Sequence, residues 1–352
     1  MHRHTGPGRT GQEAGQPEAG RPLHARRRWL QRAGLVALGA VSAPWLTACQ
    51  PVPPAPLTVG MNTWVGYDPL ILARERGLID TQAVKVVELM SSSETLRNFR
   101  NRLLDAAALT LDEVLRLADE GFEPRVVCLL SESAGADVVM ARAEVREPAE
   151  LRGRTVAVES TTVGALMLQR LLQAAHLQPS DITVINVESS QHAALLRGGR
   201  IDAAVSYEPL AGQLRDEGFT ALFDSRQMPG DIVDVLVVRA DVLDTAPQAV
   251  QALLVGWQRG LQAVQQAPAE SARVLAPGAD LTPEAYEATF RGLRFYTPPQ
   301  SLALLSGRPP ALGQASERLA QTLQLMGLIR QTPDWERLLA PAPAAALAES
   351  RS

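Results

Sequence analysis

Residues 57–70 read Leu-Thr-Val-Gly-Met-Asn-Thr-Trp-Val-Gly-Tyr-Asp-Pro-Leu, and this stretch decides the fold class. Its first five residues form a short aliphatic run that is typical of a buried strand. Asp68 and Pro69 supply an N-cap and a proline at the first helical position, so they predict the start of a helix. The stretch therefore predicts a strand, a loop and a helix, which is the repeating unit of an α/β protein.

The same alternation continues along the chain to residue 239. Strands are predicted at residues 57–61, 84–89, 106–109, 125–130, 138–141, 155–158, 182–187, 203–206 and 233–239. Amphipathic segments separate most of them, which predicts α/β architecture with largely parallel sheets. Beyond Val242, helices are predicted at residues 247–266, 268–276, 282–292 and 311–326. The Ala- and Pro-rich tail, residues 341–352, is expected to be disordered.

Length and composition exclude several classes of protein. The chain has 352 residues, 46% of them hydrophobic, and a net charge of −4. This excludes a disordered chain and a disulfide-built miniprotein, and it is enough for about two domains of roughly 150 residues. No run of about 18 apolar residues occurs, which excludes a protein with several membrane-spanning helices. The acidic balance of the chain beyond residue 48 argues against nucleic acid as a partner.

The N-terminal residues have the order of an export signal. Residues 1–25 predict a disordered leader, and a basic segment containing Arg26 and Arg27 follows. A short apolar stretch at residues 33–41 comes next, so residues 1–48 predict a signal peptide. Residues 26–31 resemble a twin-arginine export motif, and general secretion is the alternative route.

Cys49 is the candidate lipidation site. Leu46-Thr47-Ala48-Cys49 resembles the lipobox of bacterial lipoproteins, in which the cysteine is acylated and becomes the first residue of the mature chain. Residues 49–56 then form a lipid anchor and a Pro-rich tether. The alternative is that Cys49 is an ordinary buried cysteine.

Motifs of common enzyme classes are absent from the sequence. It contains no Gly-x-Ser-x-Gly, no His-Glu-x-x-His and no Walker-type phosphate loop. His176 and His192 lie on predicted helices without a partner at motif spacing, and Cys128 lies in an apolar strand, where it is expected to be buried. We therefore predict no catalytic residues, no metal and no cofactor.

Polar and aromatic residues follow several predicted strands. Ligands of open α/β sheets bind at the carboxyl ends of strands, so we expect these residues to meet in a cleft between two domains. The candidate ligand-binding residues are Asn62, Trp64, Tyr67, Thr110, Asp112, Glu113, Ser131, Ser133, Ser160, Thr161, Thr162, Tyr207 and Glu208.

Each cluster also has a purely structural interpretation. Trp64 and Tyr67 could simply cover the sheet edge. Thr110 and Glu113 fit a capping box, in which a hydroxyl and a carboxylate satisfy backbone N–H groups at a helix start. Residues 160–162 could be only an N-cap, and Glu208 could be a solvated loop residue.

Several motifs, taken in order, resemble those of one known family. Residues 59–70 are similar to the opening strand, loop and helix of nitrate/sulfonate/taurine-type solute-binding proteins of ABC importers. Residues 151–158 (LRGRTVAV), 193–203 (AALLRGGRIDA), 207–209 (YEP) and 229–238 (PGDIVDVLVV) resemble later motifs of that family. The resemblance covers about residues 57–340 and is not specific for a ligand.

The resemblance implies a type II periplasmic-binding-protein fold, with two α/β lobes around a ligand cleft. Lobe 1 would comprise residues 57–140 and 236–340, and lobe 2 residues 141–235. Such a protein captures a small molecule outside the cytoplasmic membrane by hinge closure and delivers it to an ABC permease and its ATPase. A monomer is the plain expectation. Where many relatives have a glycine before the next strand, this chain has Arg102-Leu103-Leu104-Asp105, which is a departure from the family pattern.

The residues leave the ligand class open. Hydroxyl residues 160–162 at a helix start favour an anion such as a sulfonate. The acids Asp112, Glu113, Glu132 and Glu208 instead favour a cation, an amine or a heterocycle with N–H donors, and this balance favours a nitrogen-containing solute. The alternatives to a receptor are an enzyme on the same fold, related to thiamin-pyrimidine synthesis, and a lipoprotein without a transport role.

Overall fold

The computed structural model describes residues 55–159 and 161–349, which belong to one compact unit. The predicted signal peptide with Arg26 and Arg27, the lipidation site Cys49, most of the tether, and Ser160 lie outside the described residues. None of the helices in the described ranges combines the length and the apolar character that crossing a bilayer requires.

The described residues form eleven strands. They are β1 (Leu57–Asn62), β2 (Val84–Leu89), β3 (Ala106–Thr110), β4 (Pro124–Ser133), β5 (Asp137–Ala141), β6 (Thr155–Val158), β7 (Thr183–Asn186), β8 (Ala203–Tyr207), β9 (Thr220–Asp224), β10 (Val233–Arg239) and β11 (Leu293–Phe295). Strands β9 and β11 were not predicted; both lie at a sheet edge, and β11 has only three residues.

The strands form two sheets. The first has the order β11-β4-β10-β3-β1-β2 and the second the order β7-β6-β8-β5-β9. β1 pairs in parallel with β2 and β3, and β6 with β7 and β8, whereas β4, β5, β9, β10 and β11 pair antiparallel. The prediction of largely parallel sheets is therefore wrong, because each sheet contains a strand, β10 or β5, that runs against its parallel core.

Fifteen α-helices cover the sheets in the described ranges. They are α1 (Asp68–Glu75), α2 (Ser92–Arg100), α3 (Leu111–Asp119), α4 (Thr162–Ala174), α5 (Ser189–Arg197), α6 (Leu210–Asp216), α7 (Ala240–Thr245), α8 (Pro247–Gln266), α9 (Pro268–Leu275), α10 (Pro283–Thr289), α11 (Pro298–Leu305), α12 (Ala311–Ala315), α13 (Glu317–Leu325), α14 (Trp335–Leu338) and α15 (Ala342–Glu349). The helix predicted at residues 311–326 is divided into α12 and α13 at Ser316.

We call each sheet, with the helices that follow its strands, a lobe; both lobes belong to one compact unit. The predicted lobe boundaries after residues 140 and 235 both fall inside strands, because β5 belongs to the second sheet and β10 to the first. The chain crosses between β4 and β5, and returns between β9 and β10. The crossings therefore lie a few residues before the predicted boundaries.

The predicted disordered tail is helical over most of its length. Residues Ala342–Glu349 form α15, whose Ala344 and Leu347 side chains are buried. This helix packs against α8 and α11. Alanine has the highest helix propensity, and burial of Leu347 anchors the segment to the core, which accounts for the difference from the prediction.

Two backbone positions limit the choice of residue. Arg102 adopts φ = 59°, a left-handed conformation that most side chains avoid. Gly260 on α8 faces α1, and a Cβ there would lie only 1.7 Å from the carbonyl oxygen of Pro69. The close packing of α8 on α1 thus depends on this glycine.

Candidate functional site

A cavity lies between the two sheets, at the carboxyl ends of β1, β3, β6 and β8. Its volume, measured as the space that the centre of a water molecule can occupy, is about 40 Å³. It is lined by Asn62, Trp64, Tyr67, Ser92, Thr110, Glu113, Asp137, Glu159, Thr161, Val163, Gly164, Met167, Val205, Tyr207, Ile232 and Asp234. Seven of the thirteen predicted site residues are in this set, and they come from both lobes.

The loop after β1 is fixed by a buried carboxylate. Asp234 accepts hydrogen bonds from Trp64 Nε1 at 3.0 Å, from the Tyr67 hydroxyl at 3.1 Å and from the Ser131 hydroxyl at 2.6 Å. Gly66 leaves room for this cluster, since a Cβ there would lie 2.2 Å from Trp64 Nε1. Burial raises the pKa of Asp234 to about 6, although the three hydrogen bonds favour the carboxylate. The two aromatic side chains are therefore held in place by β10.

Glu113 joins the starts of α2 and α3. Its Oε1 accepts from the Ser92 hydroxyl at 2.5 Å, and its Oε2 accepts from the backbone N–H of Thr110 at 3.1 Å. The second bond is the carboxylate half of the predicted capping box, which the structure confirms at the start of α3. Burial raises the pKa of Glu113 to about 7. Glu113 thus caps a helix and also lines the cavity.

Two groups of contacts cross the cavity from one lobe to the other. Glu159, which follows β6, accepts from the backbone N–H of Ser93 in α2 at 2.7 Å. Tyr207, the last residue of β8, contacts Trp64 edge to face with ring centroids 5.7 Å apart. The Tyr207 hydroxyl also accepts from Asn62 Nδ2 at 3.4 Å. The two lobes are therefore in contact around the cavity.

Asp137 is a buried carboxylate of the lining that is not saturated with hydrogen bonds. It begins β5 and is paired in register with Tyr207 of β8. Its side chain is 7% exposed, yet Oδ2 has no hydrogen-bond partner among the described residues. Burial, together with the negative charges of Asp234, Glu113 and Glu208, raises the pKa of Asp137 to about 7, although Ser133 lowers it in part. An ionised Asp137 therefore needs a donor.

Five predicted residues do not line the cavity. Ser131 lies behind Asp234, and Ser133 accepts from the backbone N–H of Asp137 at 3.1 Å. Glu208 pairs with Arg215 and accepts from the backbone N–H of Gly212 at 2.9 Å. Asp112 and Thr162 are fully buried outside the lining.

Glu132 and Ser160 are the remaining predicted positions. Glu132, one of the acids that favoured a cation, accepts from the backbone N–H of Gly230 at 3.0 Å and does not line the cavity. Ser160 lies outside the described residues, so only Thr161 of the hydroxyl group at the start of α4 is placed in the lining. Thr161 Oγ1 accepts from the backbone N–H of Gly164 at 3.2 Å, which is the predicted N-cap bond.

Four polar lining residues, Ser92, Asp137, Glu159 and Asp234, were not among the predicted site residues. Asp234 interrupts the apolar run of β10, and Asp137 directly precedes the apolar residues of β5. A lone acid within or beside a buried strand requires a partner, and that signal could have identified both. Glu159 directly precedes the predicted hydroxyl cluster.

The cysteine and the two histidines of the described ranges lie away from the cavity. Burial raises the pKa of Cys128 to about 12, as expected for a cysteine within a strand. His192 is buried, with Nε2 3.2 Å from the carbonyl oxygen of Val187, and His176 is exposed. Within the described residues, no group of three or more His, Cys, Asp and Glu could hold a metal ion.

Solved structures share this fold at low sequence identity. The alkanesulfonate-binding protein SsuA from Xanthomonas axonopodis pv. citri, bound to MOPS, is 19% identical with a TM-score of 0.66, over 83% of this chain and 98% of that chain. The periplasmic nitrate-binding protein NrtA from Synechocystis PCC 6803 is 15% identical with a TM-score of 0.68, over 84% and 89%. The desulfurization enzyme DSZB is 17% identical with a TM-score of 0.62, over 84% and 100%.

These neighbours have the periplasmic-binding-protein fold that was predicted from the sequence motifs. No curated protein matches the chain. A family model, in contrast, matches residues 50–277, which is well over half of the chain. The chain belongs to the NMT1-like family.

Proposed function

We propose that the protein is the extracytoplasmic solute-binding receptor of an ABC importer. The observation that carries this proposal is the cavity between the lobes, which is lined from both sheets and bridged by Glu159, Ser93 and the Trp64–Tyr207 pair. A solute that touches both lobes stabilises the closed form more than the open form, because only the closed form offers both sets of contacts. The closed receptor then presents the solute to a permease and its ATPase.

The neighbours support binding rather than catalysis, with one exception. SsuA and NrtA are binding proteins, whereas DSZB is an enzyme with the same fold. Among the described residues that line the cavity none is Cys, His or Lys, and Cys128 remains a thiol at neutral pH. Enzymatic turnover is therefore the second function to be tested.

Anchoring is part of the same proposal. Acylation of Cys49 after export, directed by the segment with Arg26 and Arg27, would hold the receptor beside its permease outside the cytoplasmic membrane, as a monomer. We expect Cys49→Ala to move the exported protein from the membrane fraction to the soluble fraction of the producing bacterium. An unchanged distribution would overturn the lipid anchor and leave the receptor proposal intact.

The experiment for the receptor itself is capture from an extract. The full chain is unfolded, washed, refolded and incubated with a small-molecule extract of the producing bacterium, and its bound molecules are released and identified by mass spectrometry. We expect one compound at about one equivalent, and its loss in Val163→Trp, which fills the cavity, but not in Val184→Trp on the exposed edge strand β7. Release of a chemically altered compound would indicate an enzyme, and retention by Val163→Trp would overturn the proposed site.

A further inference from the structure

The charge of the cavity is one-sided. Its lining contains four carboxylic acids, Glu113, Asp137, Glu159 and Asp234. None of the described residues that line it is Arg, Lys or His. An anionic solute entering this cavity would face these acids without a compensating cation, which costs several kcal/mol or forces protonation.

At two helix starts beside the cavity, a backbone N–H group already donates to a carboxylate of the protein. Glu159 accepts from the backbone N–H of Ser93 in the first turn of α2, and Glu113 accepts from Thr110 at the start of α3. Free N–H groups at helix starts are what an oxyanion would use, and these two positions are occupied. At α4, the N–H of Gly164 is taken by Thr161.

The carboxylate oxygens of the lining differ in whether the protein already donates a hydrogen bond to them. Both oxygens of Asp234 and both oxygens of Glu113 accept hydrogen bonds from the protein. Asp137 lines the same cavity, and its Oδ2 atom is buried without a partner among the described residues. Among the fully buried carboxylate oxygens of the described lining, Asp137 Oδ2 is therefore the one for which a solute would have to supply the donor.

We propose that the cavity takes a compact organic cation whose N–H groups donate to the free Oδ2 atom of Asp137. This inference rests on the proposed function and names the chemical class of its solute. The cavity is small, and the indole of Trp64 and the ring of Tyr207 in its lining provide aromatic surface for a cation. Asp137 is then the residue that determines specificity for the cation.

The test is calorimetric titration of the full chain with probes of matched size. Ethylammonium and methylguanidinium are the cationic probes, and ethanesulfonate and nitrate are the anionic probes, at constant ionic strength near pH 8. We expect only the cations to bind. Asp137→Asn keeps the shape and removes the charge, so it should weaken cation binding by about 10- to 100-fold. Asp224→Asn is the control, since Asp224 pairs with Arg226 away from the cavity and its loss should change affinity by less than about twofold.

A second readout needs only the unaltered protein. Because part of Asp137 is protonated near neutral pH, binding of a cation should release protons, which is measured by repeating the titration at pH 7 in two buffers of different ionisation enthalpy. Proton uptake, or the same affinity in Asp137→Asn, would overturn the inference. Binding of the anions alone would overturn the cation class and leave the receptor standing. If neither class binds at about 10 mM, the cation class also fails, and the extract experiment decides separately on the receptor.

Discussion

The carboxylate of Glu159, which follows β6 of the second sheet, accepts a hydrogen bond of 2.7 Å from the backbone N–H of Ser93 in α2, which packs on the first sheet. A side chain of one lobe thus caps a helix of the other. Such a contact exists only while the lobes are together, so it stabilises the closed form selectively.

We expect Glu159→Ala to shift the chain towards an open form. A hydrogen bond to a charged acceptor contributes about 1.5–3 kcal/mol, so its loss should lower the closed-to-open ratio by roughly tenfold or more. Small-angle X-ray scattering should then show a larger radius of gyration. Glu144→Ala is the control, since Glu144 pairs only with Arg142 on the surface. Equal radii for the two variants would show that Glu159 does not hold the lobes together.

A second prediction concerns the indole N–H of Trp64. Trp64 donates to Asp234, whereas the Nε1 atom of the fully buried Trp257 has no partner among the described residues. Replacement by Phe removes similar ring volume at both positions, but only Trp64→Phe takes a donor away from a buried carboxylate. We expect Trp64→Phe to lower the free energy of unfolding by about 1–3 kcal/mol more than Trp257→Phe. Urea unfolding measures both, and a larger loss in Trp257→Phe would contradict the assignment of the Asp234 cluster.

These residues also show how far the sequence alone could lead. Asn62, Thr110 and Tyr207 were predicted to share a site because each directly follows a hydrophobic run, and each is the last residue of its strand in the structure. Asp137 and Asp234 could not be placed in the same way. They lie within strands that pair antiparallel, and the direction of these strands depends on where the chain crosses between lobes.

The third prediction is the pH dependence of stability without solute. Burial raises the pKa of Asp137 and of Glu113 to about 7, and that of Asp234 to about 6, well above their ordinary values near 4. The folded protein therefore binds more protons than the unfolded chain between about pH 4 and pH 7, so the free energy of unfolding contributed by these groups falls as pH rises through this range. We expect a higher Tm near pH 5.5 than near pH 8.

The variant Asp137→Asn tests how much of this pH dependence of stability comes from Asp137. The acids that face Asp137 are Asp234, Glu113 and Glu208, and all of them disfavour its ionised form. Removing its charge should therefore raise stability near pH 8 by about 1 kcal/mol or more and flatten the pH profile. Two results would contradict this: a steeper dependence of stability on pH in Asp137→Asn, or a Tm that rises from pH 5.5 to pH 8 in the unaltered protein. Either would show that burial does not destabilise the ionised form of the carboxyl group.

The last prediction concerns the packing of α8 on α1, which supports the loop that carries Trp64. At Gly260 a Cβ would lie 1.7 Å from the carbonyl oxygen of Pro69, a backbone atom that cannot rotate away, so Gly260→Ala must separate the two helices. We expect a loss of about 2–3 kcal/mol in the free energy of unfolding, together with weaker solute binding, because α1 follows the Trp64 loop directly. Gly278→Ala is the matched control, since a Cβ there meets no atom within 4 Å. It should be neutral or slightly stabilising in the same thermal and urea unfolding experiments. Equal stabilities for the two variants would mean that α8 and α1 can move apart without cost, and the position of Trp64 would then depend on Asp234 alone.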